Sequence, residues 1–311
     1  PILKRKLWNM KPVYQDKLEE RREALKDFFG GDDRDEIPDE LLQRIFQFEE
    51  LMVKYRSAIR EVTTKLEILG DELSGTSEHN PIETIQSRIK RPYSIARKLS
   101  KRGLPVAVES IAENLNDVAG IRVICPFISD IYAVSEMLHK QDDVRLIACK
   151  DYIQNPKSNG YRSLHLIIEI PVFFSTGKEN IRVEIQIRTL AMNFWAIIEH
   201  SLQYKYKENM PDEVRGRLLR AAKAVDALDM EMSSVRDEIM DAQNSNRRRA
   251  SIVSDILNNI ENLYRTMNKR EVGKIQDEFF RVYQSDDVAL LERFNRQLDV
   301  LSESYRAQSL D

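Results

Sequence analysis

Residues 183–188, with the sequence VEIQIR, decide the kind of sheet that this chain builds. Apolar and polar side chains alternate along the segment, and alternation places them on opposite faces of a strand. The apolar face holds Val183, Ile185 and Ile187, and the polar face holds Glu184, Gln186 and Arg188. Such a polar face is typical of a strand that lines a cleft, although a solvent-facing antiparallel sheet gives the same pattern.

Outward from this strand, three more segments have the short, β-branched and apolar composition of strands: 119–127, 144–152 and 162–170. Helical spacing of apolar residues predicts a helix over 38–73, whose apolar stripe begins at Leu41 and includes Met52, Tyr55 and Val62. Helices are also predicted over 130–140, 189–205 and about 28 residues from Pro211. Arg247-Arg248-Arg249 marks a predicted break before further helices over 252–309. We therefore predict an α+β fold, in which helices flank a mixed β-sheet of about five strands, with long N- and C-terminal helical extensions.

Composition narrows the classes of function. The 311 residues carry a net charge of −3, so the chain is not a general polyanion binder, and any phosphate site must come from a local cluster. Cys125 and Cys149 lie in apolar runs without metal-binding spacing, which predicts buried, reduced thiols. No apolar run reaches the roughly 18 residues of a membrane span, and no leader is recognisable. These features predict a cytoplasmic protein without a membrane partner.

The first cluster of candidate functional residues is basic. Residues 88–102 contain seven Lys or Arg side chains and no acid. A run of charge is most often a solvated helix face, but the same groups could clamp phosphates, since Arg offers a planar fork and Lys a point charge. Ser94 and Lys98 lie one helical turn apart, close to a predicted helix start, where anions are favoured.

Asp117 leads into the strand that begins near residue 119, and Gly120 and Arg122 follow it. An acid before a strand is commonly a turn residue. It is also the type of ligand that Mg²⁺ takes when one or two carboxylates bind it together with nucleotide phosphates.

Residues 153–165 combine a loop with the start of a strand. The loop brings Lys157 and Asn159 close to Tyr161, and alternation places Tyr161 and His165 on one face. An aromatic ring beside amides and a cation suits a stacked base with a phosphate nearby. A buried histidine with a purely structural role is the alternative for His165.

Five motifs occur together in a specific order: EHNPIE at 78–83, RIKxxxSIxxKL at 88–99, DVAGIRVIC at 117–125, KDYIxNPKxNGYRSLH at 150–165 and VEIQIRTLAMNFWAxIEHSLxYKY at 183–206. Jointly they resemble the RelA/SpoT-homologous synthetase domain, and most closely the stand-alone small alarmone synthetases of the RelQ branch. The resemblance runs from about Phe48 to Gln243. It implies a nucleotidyltransferase-like synthetase domain at 41–210. Around that domain we predict an N-terminal helical extension at 1–40 and a C-terminal helical region for oligomerisation and extension at 211–311, parts of which exceed the family's compact pattern.

The resemblance also implies a reaction. The family transfers the β,γ-pyrophosphate of Mg-ATP to the 3′-hydroxyl of GDP or GTP and releases AMP, so that Mg²⁺, ATP and GDP or GTP are the implied partners. The implied ATP-binding residues are Arg88 and Arg122, on either side of the adenine, and Lys90, Ser94 and Lys98 at the phosphates. The implied metal ligands and catalytic acids are Asp117 and Glu184. The implied acceptor pocket consists of Lys157, Asn159, Tyr161, His165 and Gln186, with Tyr161 stacked on guanine.

Other functions are also compatible with the sequence. Some relatives modify the 3′ end of tRNA, so a tRNA-directed toxin is the main alternative, and a non-enzymatic nucleotide- or RNA-binding regulator is a third. The chain has four histidines and lacks the His-Asp motif of the bifunctional relatives, which predicts no alarmone hydrolysis. The apolar seam that starts at Val214 and the family's assembly predict a homo-oligomer, with a tetramer favoured.

Overall fold

The computed structural model describes residues 39–76, 79–206 and 210–308. The predicted N-terminal extension at 1–40 therefore lies almost wholly outside the described residues. The chain divides into two compact units between Met230 and Glu231. This division falls inside the segment 211–311 that the sequence treats as one region, because the first part of that segment contacts the first unit. Ala222 packs in one cluster with Trp195, and Thr189 donates a hydrogen bond to Asp229.

The first unit is built on one mixed sheet of five strands. The strands are β1 (Thr84–Ile89), β2 (Ala119–Cys125), β3 (Arg145–Asp151), β4 (Leu164–Phe174) and β5 (Gly177–Thr189), in the spatial order β1-β2-β5-β4-β3. β2 and β5 pair in parallel, and the other neighbours are antiparallel. The predicted α+β fold with a mixed sheet flanked by helices is confirmed.

Helices precede, connect and follow these strands. They are α1 (Asp39–Thr76), α2 (Pro92–Lys101), α3 (Val108–Asn114), α4 (Ile128–His139), α5 (Leu190–Tyr206), α6 (Asp212–Thr266), α7 (Lys269–Gln284) and α8 (Val288–Gln308). None of the described helices is long and apolar enough to cross a membrane.

One face of the sheet is the main hydrophobic core. Val183, Ile185 and Ile187 of β5 are fully buried there beside apolar residues of α1 and α4. α1 lies across this face with Val62 and Leu66 fully buried. Because α1 and α4 cover the apolar face, the polar side chains of β5 point to the opposite face, where the site lies.

The strand register gathers polar residues from four strands on that opposite face, called the polar face below. Gly120 of β2 pairs with Arg88 of β1 on one side and with Glu184 of β5 on the other. Gln186 lies between Arg122 of β2 and His165 of β4. Paired residues point their side chains to the same side of a sheet, so residues far apart in sequence meet across the polar face.

Several local predictions need correction. β1 and α3 are not among the predicted elements, since Thr84–Ile89 is an exposed edge strand without the alternation that marks a buried one. No break occurs at Arg247-Arg248-Arg249, because arginine is a good helix former and α6 continues to Thr266. Cys125 is buried as predicted, but Cys149 is exposed because β3 is the other sheet edge.

The second unit has a hydrophobic core of its own. The buried residues are Ile252, Ile256, Ile260 and Leu263 of α6, Val272 of α7, and Leu291, Phe294 and Leu298 of α8. Polar pairs accompany it, since Arg248 contacts Glu292 and Arg249 contacts Asp286. The region past residue 231 therefore contains helices that pack together.

Candidate active site

One half of the polar face is cationic. The Arg88 side chain lies over Gly120, where a Cβ would stand 3.6 Å from Arg88 Cγ and 3.8 Å from Arg88 Nε. Burial, and then the charge of Arg88, lower the pKa of Arg122 below its ordinary value. The Nε atom of Arg122 is buried without a hydrogen-bond partner. Two guanidinium groups near enough to act on each other electrostatically, one of them with a donor atom unused, form a site suited to an electron-rich or anionic ligand.

Asp117 lies at the entrance to β2, between two lysines. Its Oδ2 atom accepts hydrogen bonds from Lys90 Nζ and Lys98 Nζ, both at 2.5 Å. Burial alone would raise the pKa of Asp117, but the bonds and charges of the two lysines outweigh burial and lower it. The carboxylate is therefore ionised at neutral pH and links Lys90, the residue that follows β1, to Lys98 of α2.

Glu184 occupies the centre of the polar face. Its Oε1 atom lies 3.3 Å from His165 Nδ1, and its Oε2 atom accepts a hydrogen bond of 2.9 Å from Gln186 Nε2. Burial would raise the pKa of Glu184, but His165 and Gln186 outweigh burial and lower it. Glu184 is therefore a carboxylate in a largely buried position, able to accept a further hydrogen bond or a cation.

The other half of the polar face is aromatic. The Tyr161 hydroxyl lies 2.8 Å from His165 Nε2, and the rings of Tyr152, Tyr161 and His165 meet edge to face. Lys157 Nζ stands 4.5 Å from the Tyr152 ring centre and 4.7 Å from that of Tyr161. An ammonium group against two rings is a cation–π arrangement, so it fixes Lys157 beside the predicted base-stacking ring.

The loop 153–161 is held from behind by α5 and α6. Asn159 Nδ2 donates to Glu199 Oε1 of α5 at 2.9 Å, and Arg162 forms an ion pair of 2.8 Å with Asp226 of α6. A Cβ on Gly160 would come within 2.5 Å of Ala222 Cβ. Asn159 and Glu199 also line a cavity of about 410 Å³ between the loop and these helices. The loop conformation therefore depends on α5 and α6.

The structure brings most of the predicted residues together. Contacts join Tyr161, His165, Glu184 and Gln186, and others join Lys90, Lys98 and Asp117. Ser94 stands on α2 one turn before Lys98, at a helix start without a side-chain cap. The Asn159 side chain is engaged within the protein, since its Oδ1 atom also accepts from the Tyr161 backbone N–H.

Two residues of this arrangement were not among the predicted site residues. Arg188 is 3% exposed and donates from Nη2 to Tyr161 and Gln186. Tyr152 supplies a ring to the aromatic half. The alternation along β5 already placed Arg188 on the polar face. Tyr152 lies in an apolar segment, and only the strand pairing brings it to His165.

A divalent cation fits the two carboxylates. Asp117 Oδ1 is buried without a hydrogen-bond partner, and Glu184 is close enough for Asp117 to influence its pKa. Within 39–76, 79–206 and 210–308, no three His, Cys, Asp or Glu side chains converge as a complete metal site. Two carboxylates completed by ligand oxygens are the usual arrangement for Mg²⁺ bound with phosphates.

Comparison with known proteins identifies the family. Residues 87–209 match the region found in RelA/SpoT proteins. The chain is 44% identical over 190 residues to the GTP pyrophosphokinase YwaC of Bacillus subtilis. The matched residues make up 61% of this chain and 90% of that protein. The chain therefore belongs to the RelA/SpoT family, among its small alarmone synthetases.

Solved structures agree with this assignment. The small alarmone synthetase 1 of Bacillus subtilis bound to its product pppGpp aligns with a TM-score of 0.58 and 42% identity, over 62% of this chain and 98% of that one. The same enzyme bound to AMPCPP aligns with a TM-score of 0.54 and 39% identity, over 62% and 98% of the two chains. These comparisons give no support to the tRNA-modifying alternative.

Proposed function

We propose that this chain is a GTP pyrophosphokinase that transfers the β,γ-pyrophosphate of ATP to the 3′-hydroxyl of GDP or GTP. The observation that carries the proposal is the layout of the polar face. Two ionised carboxylates, Asp117 and Glu184, lie between a cationic half and an aromatic half. A phosphate donor and a guanine nucleotide can each occupy one half, so that their reacting groups meet at the carboxylates.

The cationic half would hold ATP. Arg88 and Arg122 are placed to sandwich the adenine, since guanidinium planes stack on aromatic rings. Lys90, Ser94 and Lys98 would bind the phosphates at the uncapped start of α2, where the backbone N–H groups also favour anions. The two lysines contact Asp117 in this structure, so phosphate binding would share their ammonium groups with that carboxylate.

The aromatic half would hold GDP or GTP. Tyr161 would stack on guanine, with Lys157 beside it, and His165 and Gln186 would line the pocket next to Glu184. Asn159 would contribute through the loop that it braces against Glu199. The aromatic ring would stabilise the bound base by stacking. The polar groups around it would fix the orientation of the nucleotide in the pocket.

The transfer step needs a proton acceptor at the 3′-hydroxyl. Glu184 would take that proton as the 3′ oxygen forms a bond to the β-phosphorus of ATP, because it is ionised and has a lone pair available. The bond from the β-phosphorus to the bridging α,β oxygen breaks, and AMP leaves with the electron pair. Asp117 and Glu184 would hold Mg²⁺, which would neutralise charge on the transferring phosphates.

The proposal extends to assembly and location. We propose a homo-oligomer, with a tetramer favoured, because α6 exposes apolar side chains: Met232 is 44%, Val235 40% and Ile239 52% exposed. Light scattering tests this, and a mass near the 36.3 kDa of one chain contradicts it. We propose the cytoplasm as its location, where the nucleotide substrates occur.

A product assay tests the function directly. Purified protein, Mg²⁺ and ATP labelled at the β-phosphate are incubated separately with GDP, GTP or deacylated tRNA, and the products are read by mass spectrometry. We expect guanosine tetra- or pentaphosphate with AMP, and loss of both in Asp117→Ala and Glu184→Gln. Asp143→Asn is the matched control, since Asp143 pairs with Lys65 away from the polar face. Label on tRNA alone, or on no acceptor, contradicts the proposal.

A further inference from the structure

A closed ring of polar contacts, called the ring below, runs through five side chains of the polar face. Arg188 Nη2 contacts Tyr161 Oη at 2.9 Å and Gln186 Oε1 at 2.7 Å. The Tyr161 hydroxyl contacts His165 Nε2 at 2.8 Å. His165 Nδ1 and Gln186 Nε2 then both reach Glu184, at 3.3 Å and 2.9 Å. The ring thus links the base-stacking residue to the carboxylate that takes the proton.

Arg188 decides the direction of the ring on the Gln186 side. A guanidinium has only donors, so the atom of Gln186 that faces Arg188 must be the amide oxygen. The NH₂ group of Gln186 then points to Glu184 Oε2 and donates to it. Arg188 at one end and the carboxylate of Glu184 at the other therefore fix the same amide orientation.

The same reasoning applies on the Tyr161 side. The phenol oxygen accepts from Arg188, which favours the arrangement in which the phenol proton is donated to His165 Nε2. A nitrogen that accepts carries no proton, and a neutral imidazole then has its proton on Nδ1. Nδ1 faces Glu184 Oε1. Both branches of the ring therefore end as donors to one carboxylate, one to each oxygen.

The burial of the Arg188 guanidinium is unfavourable for the free energy of folding. The Arg188 side chain is 3% exposed, its Nε atom has no hydrogen-bond partner, and no described carboxylate forms an ion pair with it. Burial, as the largest influence, and the charges of Arg122 and Arg88 lower the pKa of Arg188 to about 10, against the opposing effects of Tyr161 and Glu184. A buried cation that is held by hydrogen bonds but forms no direct ion pair destabilises a fold, which indicates that Arg188 has a role beyond stability.

We propose that Arg188 is a positioning residue of the transfer reaction, which fixes the hydrogen-bond direction of the ring so that His165 and Gln186 both donate to Glu184. Each oxygen of Glu184 then keeps a lone pair for the acceptor hydroxyl, and the carboxylate cannot rotate without breaking a bond. The kinetic part of this inference rests on the proposed function, whereas the hydrogen-bond direction does not.

The test compares Arg188→Met, which removes every donor, with Arg188→Lys, which retains them. The protein is labelled with ¹⁵N, and the ring nitrogens of His165 are observed by NMR without nucleotide and assigned with His165→Gln. We expect Nδ1 to carry the proton in wild type and in Arg188→Lys. In Arg188→Met we expect a measurable population protonated at Nε2, since Tyr161 is free to turn its proton away while Glu184 still favours a proton on Nδ1.

Kinetics complete the test. We expect kcat of Arg188→Met to fall roughly 10- to 100-fold, as for other residues that orient an active group, with an unchanged KM for ATP. Arg188→Lys should recover most of the loss, which a role in packing alone does not predict.

The NMR result separates this inference from the proposed function. Wild-type protein with Nδ1 protonated but without synthetase activity leaves the ring intact and contradicts the function. Wild type protonated at Nε2, or Arg188→Met with an unchanged tautomer and kcat, overturns the inference. If Arg188→Met does not fold, Tyr161→Phe removes the donor to Nε2 while Arg188 remains, and the same tautomer change decides.

Discussion

Gly160 lies directly against Ala222, so closely that a Cβ on Gly160 would stand 2.5 Å from the Cβ of Ala222. Gly160 also has a φ of +90°, a backbone angle that residues other than glycine rarely adopt. The contact ties the loop that carries Tyr161 to α6. The position of the base-stacking ring therefore depends on a residue far from it in sequence.

Gly160→Ala should displace this loop. We expect a loss of about 1–3 kcal/mol in the free energy of unfolding and a raised KM for GDP, because backbone strain and a clash act together. Urea unfolding and steady-state kinetics measure the two effects. Gly177→Ala is the control, since Gly177 has a φ of +129° with nothing within 4 Å of its added Cβ. Equal effects of the two variants on KM would contradict a role for the Ala222 contact.

Position 120 should tolerate one methyl group and reject a larger side chain. An added Cβ would stand 3.6–3.8 Å from the nearest Arg88 atoms, which is ordinary van der Waals distance. We expect Gly120→Ala to keep wild-type stability and KM for ATP. Gly120→Val should displace Arg88 and raise KM for ATP, roughly by the factor of ten that corresponds to 1.4 kcal/mol. Kinetics with varied ATP measure this. A normal KM for ATP in Gly120→Val would contradict the placement of Arg88 at the adenine.

Asp117 should stabilise the fold only above the acid range. Its folded-state pKa is lowered, so its contribution is present above the unfolded pKa of about 3.9 and is lost as pH falls through the folded value. We expect the difference in unfolding free energy between wild type and Asp117→Asn to shrink as pH falls below about 4. Chemical denaturation at a series of pH values measures it, and a constant difference would contradict the prediction.

Asp229 should show the opposite behaviour. It accepts a hydrogen bond of 2.7 Å from Thr189, and burial, as the largest influence, raises its pKa. A raised pKa means that the folded state loses stability as pH rises above the unfolded value. Since an asparagine oxygen can accept the same bond, we expect Asp229→Asn to have a higher Tm than wild type at pH 7 and an equal Tm near pH 4. A lower Tm at pH 7 would show that the charge is needed.

The core of the second unit can be tested with two adjacent residues. Ile256 is fully buried and Leu257 is 51% exposed. We expect Ile256→Ala to cost about 2–5 kcal/mol of the stability of this unit, since it leaves a cavity. Leu257→Ala, the neighbouring control, should cost much less. Amide hydrogen exchange over 250–300 reports this unit separately. Equal protection in the two variants would contradict the observed core.

The sequence predicts the sheet and the polar face well because both follow from alternation. Glu184 and Gln186 are on the polar face by parity alone, before any strand partner is known. The phase of a long helix is harder to predict. The apolar stripe of α1 was predicted to begin at Leu41, but Leu41 is 50% exposed and Leu42 is 1% exposed. The error in the position of the stripe is confined to the first turn of the helix. Met52, Tyr55 and Val62 are buried as predicted.

Long-range pairing sets the limit for the site. The hydrogen bond from Asn159 to Glu199 and the ion pair from Arg162 to Asp226 join segments whose separation in sequence gives no signal. Arg188 has a polar parity, but its role depends on how Tyr161 turns towards β5. Such contacts are properties of the packed chain, and only the three-dimensional structure reveals them.

The strict alternation along β5 has an evolutionary consequence. Removal or insertion of one residue between Val183 and Arg188 would exchange the two faces, so that the carboxylate of Glu184 would enter the core and isoleucines would line the cleft. A single substitution along this strand changes one side chain and leaves the two faces in place. A change in the length of the strand disrupts both the hydrophobic core and the active site. Lineages of this enzyme should therefore vary in loop and terminal length while the length of this strand stays fixed.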